Sequence, residues 1–160
     1  MKATPLHDAA RRRLLGGFLA VATCRCARAA GPVLVDDHAT VVDRPSLDMQ
    51  WRHPVPGRMS DTTLQGTLRV QARLDLHTWV GQTASLYMAL APVPAKTVHA
   101  SWRTGGLLLP GTLLSGERRL VYEGRVSVPL LEDTLELTLT TDGRALASSQ
   151  GLHFHFELET

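Results

Sequence analysis

From Thr63 to Leu76 the chain alternates with period two. Leu64, Gly66, Leu68, Val70, Ala72, Leu74 and Leu76 are interleaved with Gln65, Thr67, Arg69, Gln71, Arg73 and Asp75. Successive side chains of a β-strand point to opposite faces, so this segment reads as a strand with one apolar and one wetted face. Wound as a helix, the same residues would scatter their apolar side chains all round. Gly66 inside the run is expected to mark a bulge or bend.

The alternation recurs along the chain. Leu47, Met49 and Trp51 alternate before His53-Pro54. Ala84, Leu86, Met88 and Leu90 alternate before Pro92, and Val98, Ala100 and Trp102 before Gly105-Gly106. Leu120-Val121-Tyr122 is short and apolar. Leu135, Leu137 and Leu139 alternate with Thr134, Glu136, Thr138 and Thr140, and Leu152, Phe154, Phe156 and Leu158 with His153, His155, Glu157 and Glu159. An early strand is expected over Val33 to Val42, broken at Asp36-Asp37. Between the runs lie turn signals: Pro54-Val55-Pro56-Gly57, Pro92-Val93-Pro94, Gly105-Gly106, Pro110-Gly111, Ser115-Gly116 and Asp142-Gly143. No stretch carries a helical period. About eight strands with frequent turns predict an all-β fold, an antiparallel β-sandwich. Trp51 and Trp102, in phase with Leu, Met or Val, are expected in its core.

The start of the chain has a different logic. Arg11, Arg12 and Arg13 precede an apolar stretch from Leu14 to about Thr23, and Ala27-Arg28-Ala29 closes it. A basic start, a short apolar run and an A-x-A exit are the parts of a cleavable export signal. Residues 1–29 are therefore expected to be removed after Ala29, leaving 30–160 as a single domain. The apolar run is too short for a membrane anchor, which needs about 20 residues. Arg12-Arg13-Leu14-Leu15, the glycines Gly16 and Gly17, and Arg25 and Arg28 fit the twin-arginine route; an ordinary secretory signal fits as well. Lipidation at Cys24 is a third option, though Thr23 is a poor residue before a lipidated cysteine. Cleavage would remove six of the 17 Lys and Arg and one of the 15 Asp and Glu. That leaves 11 against 14, a net charge of −3. No basic stripe then remains for nucleic acid. Cys24 and Cys26 are the only cysteines, so the mature chain would hold neither a disulfide nor a Cys-based metal site.

Three stretches together resemble a β-sandwich module that recurs in bacterial secreted and surface proteins. They are Val80-Gly81-Gln82-Thr83-Ala84-Ser85-Leu86-Tyr87-Met88, Leu120-Val121-Tyr122-Glu123-Gly124, and a terminal hairpin of a strand through Leu139, the Asp142-Gly143 turn and a last aromatic strand. The resemblance spans roughly residues 63–158. It implies an immunoglobulin-like sandwich and an envelope setting, and it brings no catalytic residues.

Little else carries chemistry. His153 and His155, two apart on a strand, could turn both imidazoles towards one copper or zinc ion. As plain residues they are the polar face of a final strand, and a blue-copper site would also need a cysteine. Asp36-Asp37-His38 reads as a turn. No G-x-S-x-G nucleophile elbow is present, and Ser115-Gly116-Glu117 reads as a turn. Trp79, in His77-Thr78-Trp79-Val80-Gly81, is either a packed corner or an anchor for a partner. Leu107, Leu108 and Leu109 form either a docking patch or a buried strand. The final strand could pair with another subunit if it lay at an edge. The expectation is a non-enzymatic protein without cofactor, periplasmic or secreted, that works by contact with an envelope or surface protein. An accessory or subunit of a pilus- or adhesin-type assembly fits. The alternative is a periplasmic copper- or zinc-binding protein using His153 and His155.

Overall fold

The computed structural model describes residues 31–44, 47–53, 61–93, 97–145 and 152–160. The expected export segment, residues 1–29, and the Pro54–Gly57 turn lie outside these. Among the described residues ten strands form: β1 (Val33–Leu34), β2 (Val41–Val42), β3 (Gln50–Trp51), β4 (Thr63–Asp75), β5 (Thr83–Leu90), β6 (Val98–Thr104), β7 (Gly111–Leu114), β8 (Arg118–Arg125), β9 (Leu130–Asp142) and β10 (Phe154–Glu159). Among the described residues the only helical turns are two short 3-10 segments, His77–Trp79 and Gly143–Ala145. No helix there is long and apolar enough to cross a membrane.

The strands make two antiparallel sheets. One has the order β1-β10-β5-β8; the other has β2-β4-β9-β6-β7, with β3 also on β4. Leu74, Leu131, Leu135 and Leu139 of the larger sheet join Leu86, Met88, Phe156 and Leu158 of the smaller in one apolar core. Each such side chain contributes about 1.5–3 kcal/mol by leaving water. The alternation of β4 is kept as expected, with its even-numbered positions turned inward.

The first described segment links the sheets. Val33 and Leu34 pair with β10, Val35 is buried, and Asp36 already bridges to Asp75 of β4. β2 and β3 then run as a strap along the edge of β4. The break expected at Asp36-Asp37 is thus where the chain changes sheets.

Three expectations need correction. Gly66 marks no bulge, because the β4–β9 register runs unbroken from Thr63–Asp142 to Asp75–Leu130. Gly66 instead makes room for the strap: a Cβ there would lie 2.8 Å from both Leu47 Cγ and Met49 Sδ. The irregularity falls between Leu86 and Tyr87, where β5 meets β8. Trp51 is not in the core; it is 43% exposed on the edge strand β3, with its ring edge against Gly143. Trp102 is buried, as expected, and its Nε1 donates to Leu109 O at 2.9 Å. The last strand is not an edge, since β10 lies between β1 and β5.

Asp133 breaks the apolar phase of β9. It sits inward between Leu131 and Leu135, opposite the small Ala72, and is only 8% exposed. Its Oδ2 accepts from Leu108 N at 2.8 Å and its Oδ1 from Thr134 N at 2.7 Å. The loop between β6 and β7 is thereby tied to β9. Leu109 N in turn donates to Val121 O on β8 at 2.7 Å, so the same loop fastens the two sheets together. A Cβ on Gly106 would come within 2.8 Å of Asp133 Oδ1, which is why this loop approaches through a glycine. In Asp133→Asn one oxygen still accepts, but the amide N–H₂ must face a backbone donor. The expected loss is about 2–3 kcal/mol, the worth of a charged hydrogen bond left unmade. Urea unfolding should show it as a lower midpoint at unchanged slope, and an unmoved midpoint would remove the carboxylate from the account.

Candidate functional site

The outer face of the larger sheet holds a concavity of about 1000 Å³. Register alone composes its floor. Arg69 on β4 lies opposite Glu136 on β9, which lies opposite Arg103 on β6. One row along, Thr67, Thr138, Ser101 and Thr112 cross four strands. These are the wetted positions of each alternation, so the rule that buries the leucines brings the arginines and hydroxyls together. The walls are Asp43 and Arg44 of the strap on one side and Pro110 with Thr112 on the other. Asp43 N donates to Arg69 O at 3.1 Å, which fixes the strap at that point. A second hollow of about 390 Å³ shares Arg44 and Thr67 with the first and continues along the strap to Trp51. The two make one elongated groove.

Its charges are unequally engaged. Arg69 Nη2 donates to Glu136 Oε1 at 2.9 Å. Arg103 makes no ion pair among the described residues, although Glu136 is its register partner. The Thr67, Thr138 and Thr112 hydroxyls make no hydrogen bond there either, whereas Ser101 Oγ donates to Thr138 O at 3.4 Å. The outer face of the smaller sheet is the opposite case. Arg118 donates from Nη1 to Glu159 at 2.7 Å and to Glu157 at 3.2 Å, and stacks 4.5 Å from the Tyr87 ring centre. Hydrogen bonds donated to Glu159 and then to Glu157 raise the Arg118 pKa, so this cation is already spoken for.

The residues singled out from sequence do not assemble into one site. Trp79 is half-buried and packs against the core from the 3-10 turn. Leu107 and Leu109 are 59% and 46% exposed, but Leu108 is 2% exposed. Leu108 therefore belongs to the core and leaves the expected contact patch, because Asp133 draws its backbone inward. Leu107 and Leu109 lie on the β6–β7 loop that leads into Pro110 of the groove wall. His153 is exposed, while His155 is half-buried with Nε2 3.2 Å from Glu157 Oε1. Among the described residues no group of three or more His, Cys, Asp or Glu is arranged to hold a metal ion. The groove was missed because its rows need the pairing of strands, which no local pattern contains.

At the sheet crossover the Asp-x-His spacing occurs twice, on bridge partners. Asp36 accepts from the Nδ1 and the backbone N of His38; Asp75 accepts from His77 N at 3.0 Å and Nδ1 at 2.7 Å. The side-chain bond from His38, then its backbone bond, holds the Asp36 carboxyl below 3.8. The side-chain bond to Asp36, then its charge, raises the His38 imidazole above 6.5. The depressed acid loses its contribution as pH falls through its folded pKa, and the raised base loses its own as pH rises through the folded pKa. The clamp is thus complete between about 4 and 6.5. An NMR titration should find His38 midway above pH 6.5, and Asp36→Asn should move it back towards 6.5. An unshifted midpoint in that variant would dissolve the clamp.

No family model, curated protein or solved structure matches this chain.

Proposed function

We propose that this chain is an exported, non-enzymatic sandwich of immunoglobulin-like character that works in the cell envelope by contact with a protein partner, as an accessory or subunit of a pilus- or adhesin-type surface assembly. The observation that carries the reading is the groove, with an unengaged guanidinium on its floor, and the exposed Leu107 and Leu109 on the loop that leads into its Pro110 wall. Contact surfaces of this kind combine an apolar anchor, an arginine and a polar surround. The two antiparallel sheets are compatible with the resemblance over residues 63–158, and the sequence of residues 1–29 supports export.

A photo-crosslinking residue placed at Leu109 should yield a discrete adduct in the envelope fraction of the native host. Leu107→Asp with Leu109→Asp should weaken that adduct about tenfold, in the range of lost interface anchors. Thermal unfolding should stay nearly unchanged, since both side chains are exposed. An adduct unaffected by the double variant, or a protein retained in the cytosol with its first 29 residues intact, would overturn the proposal.

A further inference from the structure

We infer that the groove is a site for an extended acidic peptide segment, with Arg103 as the anchor for one of its carboxylates. The inference rests on the partner-contact reading and names the chemistry of the partner.

Shape is the first ground. Two hollows joined at Arg44 and Thr67 run from Pro110 across the sheet and along the strap to Trp51, a form suited to a linear ligand. Charge is the second. Glu136 holds Arg69, whereas Arg103, on the other side of Glu136, is unpaired among the described residues. A planar guanidinium with five donors matches a carboxylate in a two-point contact. The hydroxyls of Thr67, Thr138 and Thr112, in a row that crosses strands about 4.8 Å apart, can donate to or accept from the backbone of such a segment. Gln50 and Gln65, register partners on the same face as Thr67, continue the polar lining into the second hollow.

The rest of the groove argues against other polymers. Among the described residues its floor exposes no aromatic ring for a sugar to stack on, because the Trp102 indole is buried. Asp43 and Glu136 oppose a densely charged polyanion, while carboxylates spaced along a peptide can avoid them.

The test uses the isotope-labelled protein with an acetylated, amidated octapeptide of alternating Glu and Thr, its Gln counterpart, and dextran sulfate. The Glu peptide should shift the amides of Ser101, Arg103, Thr112 and Thr138. Arg103→Gln should weaken it about three- to fivefold, the scale of one exposed guanidinium–carboxylate contact. Glu136→Gln should tighten it by freeing Arg69, and 0.5 M salt should weaken it further. Equal binding of the Gln peptide, shifts elsewhere, an unchanged affinity in Arg103→Gln, or dextran sulfate displacing the Glu peptide from these residues would overturn the inference. The Leu107 and Leu109 crosslink is read separately. If it is lost as expected while the Glu peptide fails to bind, this inference falls and the partner-contact reading stands.

Discussion

Everything in this molecule is referred to the pairing of β4 with β9. The two longest strands lie side by side in unbroken register from Thr63–Asp142 to Asp75–Leu130. A slip of one residue would turn every inward leucine of β4 to solvent and every arginine to the core. The penalty for that exchange is large, because each buried leucine is worth about 1.5–3 kcal/mol and each buried unpaired charge costs far more. The hydrophobic term therefore sets the register. The polar face inherits it: Arg69 faces Glu136, and Thr67 faces Thr138, because Leu68 faces Leu137 on the other side. The groove floor is in this sense a by-product of the core, set by the same register.

Asp133 carries that constraint outward to the loop that leads into the groove's Pro110 wall. A buried carboxylate among leucines is costly unless its oxygens are filled, and here backbone donors from Leu108 and Thr134 fill them. Pulling Leu108 inward leaves Leu107 and Leu109 on either side of it pointing out. Trp102 Nε1 holds the Leu109 carbonyl from below, and Val121 takes its N–H. Two exposed leucines on a loop would ordinarily be mobile; these are set on a backbone anchored at three points to both sheets. A pre-positioned apolar rim loses less entropy on contact than a free loop does.

The period-two runs made the strands legible, and the break at Asp36-Asp37 located the crossover. Parity alone placed Trp102 in the core, and parity failed at Trp51. Alternation says which side of a strand faces inward, but not whether anything covers that side; β3 is a two-residue edge, so Trp51 is in phase and still wet. Gly66 looked like a kink because a strand glycine has no side chain to pack. The reason for it lies in Leu47 and Met49, nearly twenty residues away. Asp133 is an acid in an apolar phase between Leu131 and Leu135, and its partner is the backbone of a glycine-rich loop, which no pattern of side chains announces. The groove needed knowledge of which polar faces lie next to each other, and this is a property of strand order.

The groove's construction also bounds how it can bind. Its floor is locked by register, but one wall is the strap, held to β4 by the short β2 and β3 ladders and by Asp43 N on Arg69 O. Short edge ladders open more readily than a central one, so that wall can adjust while the floor cannot. No single contact available there is strong. An exposed arginine–carboxylate pair contributes at most about 1 kcal/mol, and salt reduces it. Submillimolar affinity needs more than about 4 kcal/mol net of the cost of association, so Arg103 alone is insufficient. The contacts must be summed along the groove: the guanidinium, the hydroxyl row, and the Gln50 and Gln65 amides beyond it. A ligand too short to span from Arg103 to Gln50 forfeits the far part of that sum. Length therefore governs affinity at this surface more strongly than charge does, and charge decides which of the long ligands is accepted.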